Sequence, residues 1–154
     1  MPGRSRQQST DEQGFTLLEV LDVILIIGVL AAIAIPSFLS QKSKGYDASA
    51  KEVARTAQTT AETYQTDHAG EYTGLNTSEL EKYETGLMKC PNTNNACFKE
   101  GKAIESSKGY EVVAEAAVTH DIFTIKKNAA GEVTRTCQSV STTTGCNGQA
   151  TGTW

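Results

Sequence analysis

Polar residues occupy the chain from Met1 to Gly14, and at Phe15 its character changes: the stretch to Leu39 is a run of 25 residues that is overwhelmingly apolar. Between Val23 and Ile35 no side chain is polar. At about 1.5 Å per residue, a helix of this length spans a hydrocarbon core of roughly 30 Å, so the pattern predicts a membrane-crossing helix over 15–39. Beyond Pro36 the chain becomes polar but keeps a stripe, Tyr46, Ala50, Val53, Ala57, Ala61 and Tyr64, at intervals of three or four. That period predicts an amphipathic helix over 40–69 with one buried face. Asp47 with Lys51, and Glu52 with Arg55, have spacings that can pair on the exposed side, at about 0.2–0.5 kcal/mol each. Gly70 is a C-cap signal and puts the helix end between Asp67 and Gly70. From Phe15 the helix is then roughly fifty residues and about 80 Å long.

The segment 70–108 is expected to be a connecting loop, because Gly74, Asn76, Gly86, Pro91, Asn92, Asn94 and Asn95 are turn-formers, with a short helical turn over Ser78–Tyr83. Three strands are predicted in 109–154: Tyr110–Val118, Ile122–Lys127 and Glu132–Gln138, joined by connections short enough for hairpins. They form an antiparallel meander, and one face, with Val112, Phe123 and Ile125, is expected to cover the Tyr46–Tyr64 stripe. The fold class is α+β, a long helix on a small antiparallel sheet. After Gln138 the chain is rich in Ser, Thr and Gly, a composition that does not order itself.

A formal net charge of -4 gives no broad basic surface, so no specific nucleic-acid partner is expected. No Gly-x-Ser-x-Gly, His-Glu-x-x-His or phosphate loop occurs, and His68 and His120 read as solvated loop residues, so neither an enzyme nor a cofactor or metal is expected. Asn76-Thr77-Ser78 fits a glycosylation acceptor, a weak three-residue signal. Arg4, Arg6 and Ala32-Ile33-Ala34 also fit a secretory signal peptide. Against that, two acids, Glu19 and Asp22, would sit in its apolar region, and the helical pattern continues past Ala34.

The stretch "GFTLLEVLDVILIIGVLAAIAIPSFLSQ" resembles the N-terminal segment of type IV pilins. The likeness lies in a short polar leader, the Gly14-Phe15 junction, Glu19 as the fifth residue after it, the apolar run and Pro36 near its end. Long helix, loop, antiparallel sheet and cysteine-bounded tail are similar to the family as well. The resemblance implies a leader over 1–14, cut by a membrane-embedded prepilin peptidase between Gly14 and Phe15, with N-methylation of Phe15. It also implies a structural subunit held in the cytoplasmic membrane and then polymerised with identical subunits, by a membrane assembly machinery, into an extracellular filament. The Gly28 to Pro36 stretch of such filaments tends to be unwound.

Glu19 would pair with the Phe15 amine of a neighbouring subunit, since a buried charge is tolerated only when paired. Asp22 departs from the family, which usually has an aliphatic residue there. It lies three residues after Glu19, on roughly the same face, and one amine balances only one carboxylate. Asp22 is therefore expected either to share that amine network or to stay protonated and donate to a neighbouring group; the plain alternative is a tolerated substitution near the membrane edge.

Four cysteines, Cys90, Cys97, Cys137 and Cys146, fit an oxidising compartment and permit three pairings. Cys137 with Cys146 resembles the family's C-terminal disulfide loop, and Cys90 with Cys97 would close "CPNTNNAC"; a four-cysteine zinc site is the competing reading. Two other functions remain in play. A type II secretion pseudopilin shares the N-terminal segment, but its major form has a calcium loop near the C-terminus, and no Asp or Glu follows Glu132 here. A signal-anchored extracytoplasmic enzyme or binding domain would retain residues 1–14.

Overall fold

A computed structural model describes residues 14–91, 95–140, 145–146 and 149–154. Residues 1–13 of the expected leader 1–14, the turn-formers Asn92 and Asn94, and parts of the Ser/Thr/Gly tail lie outside the described residues. Two compact units are present, Met1–Ser37 and Phe38–Trp154.

Helix α1 covers Leu17–Asp67, 51 residues, close to the span expected from the hydrophobic pattern. It remains helical through Gly28 and Pro36. In the first unit its large apolar side chains are exposed, from 49% at Leu21 to 81% at Leu17. Within the second unit its stripe is buried, with Ala50, Ala54, Ala57 and Ala61 wholly inaccessible. Ala54 takes the central place expected for Val53, which with Tyr46 packs partly buried at the edge. Alanine at these four positions lets the helix lie close against the sheet, where any larger side chain would overfill a packed interior. The helix ends as the sequence suggests: Gly70, at φ 89°, donates its N–H to the Gln65 carbonyl at 2.9 Å.

Helix α2, Thr77–Tyr83, is capped by Asn76, whose side chain accepts from the Glu79 N–H at 3.1 Å. Five strands follow: β1 Ala96–Ile104, β2 Gly109–Ala116, β3 Ile122–Lys127, β4 Val133–Gln138 and β5 Thr151–Thr153. Each is antiparallel to the next, in the order β1-β2-β3-β4-β5. The meander is as expected, with Val112 opposite Ile125 and Ala114 opposite Phe123, all buried against the helix stripe.

Two strands were not legible. β1 lies in the segment expected to be a loop, because "ACFKEGKAI" has few β-formers and its alternation is broken where the register shifts between Phe98 and Glu100. β5 lies in the tail, where the Cys137–Cys146 disulfide and pairing to β4 order a three-residue strand that composition alone would leave loose.

The helix pairs expected on the exposed side do not form. Asp47 is buried, its carboxylate accepting from the Thr119 hydroxyl at 2.8 Å and the Gly145 N–H at 2.7 Å. Lys51 and Arg55 lie over the Trp154 ring, at 5.7 and 5.6 Å. A buried acid with two donors and a cation on an aromatic face both outweigh a solvated ion pair of a few tenths of a kcal/mol, about 0.2–0.5.

One polar cluster ties helix to sheet. The Glu62 carboxylate accepts from the Tyr110 hydroxyl (2.9 Å), the Tyr72 hydroxyl (3.1 Å) and the Lys127 ammonium (2.8 Å). Burial, reinforced by the Glu62 charge, pushes both phenols above their ordinary value. Burial alone would lower the Lys127 ammonium, but its bonds to Glu62 and Tyr72 prevail and hold it raised.

Candidate functional site

The residues singled out in the sequence as site residues fall into two groups, the start of α1 and the cysteines. Gly14, Phe15 and Thr16 are not helical, and α1 begins at Leu17. Thr16 is the reason: its hydroxyl accepts from the Glu19 N–H at 3.2 Å and its carbonyl from the Val20 N–H at 3.3 Å, the two bonds of an N-cap residue. Thr16-x-x-Glu19 is also the sequence of a capping box, the signal that identifies this cap from residues alone. The Gly14-Phe15 peptide thus stays outside the helix, just before its start. Glu19 stands in the first turn, where the positive end of the helix dipole favours a carboxylate.

Phe15 is 83% exposed, and Glu19 and Asp22 are exposed as well. Asp22 lines a shallow apolar groove with Leu21, Leu25, Gly28, Val29 and Ala32. Gly28 has open space where a side chain would be. The single chain therefore places Asp22 and Gly28 on one face and puts Glu19 one turn nearer the helix start, and it buries none of them.

Both cysteine pairs are disulfides: Cys90–Cys97 and Cys137–Cys146, with Cα–Cα distances of 5.1 and 5.6 Å. With every sulfur bonded, the zinc reading has no thiolates to use. The C-terminal bridge is supported by two buried carboxylates that sequence reasoning missed. Asp121 accepts from the Ser139 hydroxyl at 3.1 Å and the Val140 N–H at 2.7 Å, while Asp47 holds Gly145. Gly145 has φ +72° and a Cβ there would run into the Asp121 carboxylate, so only glycine fits. His68 stacks on Tyr64 at 3.8 Å and His120 lies 2.9 Å from Glu115, both exposed beyond element ends.

The start of α1 coincides with a known motif: residues 9–35 match the family model of the prokaryotic N-terminal methylation motif. A ComG operon protein 3 homolog of Bacillus licheniformis is 33% identical over 99 residues, 64% of this chain and 94% of that protein. A fimbrial protein of Neisseria meningitidis serogroup B is 36% identical over 70 residues, 46% of this chain and 41% of its own length. The type II secretion system core protein G of Escherichia coli is 53% identical over 38 residues, 24% of this chain and 26% of its own. No solved structure matches the chain. The motif at a capped, exposed apolar helix start, the disulfide-closed antiparallel sheet and the 33% identity over 94% of the Bacillus protein together place the chain in the family of pilins and pseudopilins, and it is a subunit of a pilus or pseudopilus.

Proposed function

We propose that the chain is a structural subunit of an extracellular type IV pilus, which polymerises through α1 after a prepilin peptidase cuts between Gly14 and Phe15. One observation carries this reading: the apolar half of α1 exposes nearly all its large side chains, so it needs a lipid or helical environment that the chain does not itself supply. Before assembly that environment is the cytoplasmic membrane; in the filament it is the same helix of other copies, brought there by the membrane assembly machinery. Gly28, Ala31, Ala32 and Ala34 are small residues of the kind that let helix backbones approach closely.

Cleavage creates an amine at Phe15, N-methylated in this reading, four residues before Glu19. The Thr16 cap leaves that amine outside the helix, and Glu19 of a neighbouring copy neutralises it once lipid or protein surrounds both. Asp22, on the Gly28 face, either joins this pairing or enters the interface protonated. Pro36 lacks a backbone donor, so the helix around it is the place where it opens most readily under load.

A pseudopilin of a secretion system is the second reading, favoured by the 53% identity to the Escherichia coli protein over about a quarter of the chain. Intact-mass measurement of sheared surface filaments tests the proposal. The expected species begins at Phe15, has one added methyl group and contains two disulfides. Filaments built of the full 154-residue chain would overturn it.

A further inference from the structure

The second unit carries two charged patches of opposite sign. On one, Lys51 lies over Phe123 at 5.2 Å and, with Arg55, over Trp154. Arg135 adjoins them through Gln58, one turn after Arg55, to which it donates at 3.3 Å. The indole is fixed beside β4 by its N–H bond to the Thr136 carbonyl at 2.9 Å. None of these three cations has a carboxylate partner among the described residues.

The other patch surrounds the end of α1. Asp67 ends α1, and the short helix α2 beside it bears Glu79 and Glu81, with Glu79 paired to Lys82 at 2.6 Å. Tyr83 joins the two elements, its ring edge-on to Tyr64 of α1 at 5.4 Å. The last turn of α1 has no basic residue, so the negative end of the helix dipole adds to these acids.

Arg55 and Asp67 are twelve residues apart, about 18 Å along the helix. That is beyond the screening length of about 8 Å at physiological salt, so the patches do little for each other within one copy. Resting on the filament reading above, we propose that the cationic patch of Lys51, Arg55 and Arg135 on one copy docks against the Asp67, Glu79 and Glu81 patch of the next.

The contact is heterologous, since the two surfaces differ; each added copy leaves one patch of each sign unused, which gives an open polymer rather than a closed dimer. The aromatic bed under Lys51 and Arg55 holds them in place without neutralising them, so they arrive at the contact already ordered. Complementary charge of this kind fixes register and rejects like-charged approaches.

The test uses the full chain in a host that assembles it. Filaments grown from a mixture of 14N- and 15N-labelled chains are treated with a carbodiimide, which joins an ammonium directly to a carboxylate. Mixed-label peptides linking Lys51 to Asp67, Glu79 or Glu81 are the expected result. Filaments that yield none, or that link Lys51 only to other proteins, would overturn the inference. In parallel, Lys51→Glu with Arg55→Glu should lower filament yield several-fold, and adding Glu79→Lys with Glu81→Lys should restore it. The thermal midpoint of each variant separates lost docking from lost folding. Unchanged yield in the double variant, or no recovery in the quadruple one, also counts against the contact. If the wild-type chain forms no filaments at all, the pilus reading falls, and this inference with it.

Discussion

Along α1, the residues before and after Ser40 follow opposite rules. Before it, the face is built of Leu, Ile and Val that remain exposed, Ile33 at 74% for example. After it, the face is built of alanines with no exposure, covered by Phe98, Val112, Ile125 and their neighbours. The second half has a partner of fixed shape in its own chain, and small side chains are what that shape admits. For the first half no partner is present among the described residues, and bulk without detailed fit suits lipid or a bundle of identical helices. The difference shows that one continuous helix can have its environment set residue by residue, by side-chain size as much as by polarity.

The contrast can be broken most completely at its edge. Gly14→Trp should leave unprocessed protein in the membrane and no filaments, read by intact mass and electron microscopy; normal filaments would refute cleavage at this junction. Glu19→Val should abolish assembly or nearly so, whereas Asp22→Val should reduce filament yield measurably but less. Yield and stability equal to wild type for Asp22→Val would make the acid a tolerated substitution.

A paired substitution sharpens the comparison within folded protein. Phe123→Ala empties a wholly buried site and should cost the second unit about 3–5 kcal/mol. Ile26→Ala, on the exposed half, should move the same unfolding midpoint by less than about 0.5 kcal/mol. Equal effects would mean that the first half is buried within its own chain after all. Both disulfides should resist alkylation until reduced, and reduction of either should cost about 2–3 kcal/mol in denaturant melts.

The smallest effect is alkaline. Tyr72, Tyr110 and Lys127 all bind their protons more tightly in the folded state than their ordinary values of 10.0, 10.0 and 10.5. Their contribution is complete below those values and is lost as pH rises past them toward the folded ones. Stability should therefore be flat with respect to this cluster up to about pH 9.5 and decline above about 10, and Tyr72→Phe with Tyr110→Phe, which removes the two titrating phenols, should flatten much of the decline.

Long-period patterns were legible, and single polar side chains were not. The length of α1, the three strands β2 to β4 and the identity of the buried face follow from repetition over many residues, which averages out local exceptions. Asp47 defeats such averaging: its spacing to Lys51 suggests a surface pair, but Thr119 and Gly145, 72 and 98 residues away, give it two donors. Glu62 is similar, since its partners Tyr72, Tyr110 and Lys127 come from a loop and two strands. At the start of α1, Gly14, Phe15 and Glu19 fall within the matched motif, and Thr16 was within reach through its three-residue spacing to Glu19. The acids and cations around Asp67 and Trp154 carry no local pattern, because only the fold brings them into patches.

Sheet order has a kinetic consequence. With β1 to β5 each beside its sequence neighbour, the hairpins from β1 to β4 close over short loops at little entropic cost, while the connection from β4 to β5 is longer. Contacts to α1 span 48 residues from Tyr110 to Glu62 and 98 from Gly145 to Asp47. The C-terminal tail, whose Gly145 reaches back to Asp47, closes the longest of these loops and loses the most chain entropy in doing so.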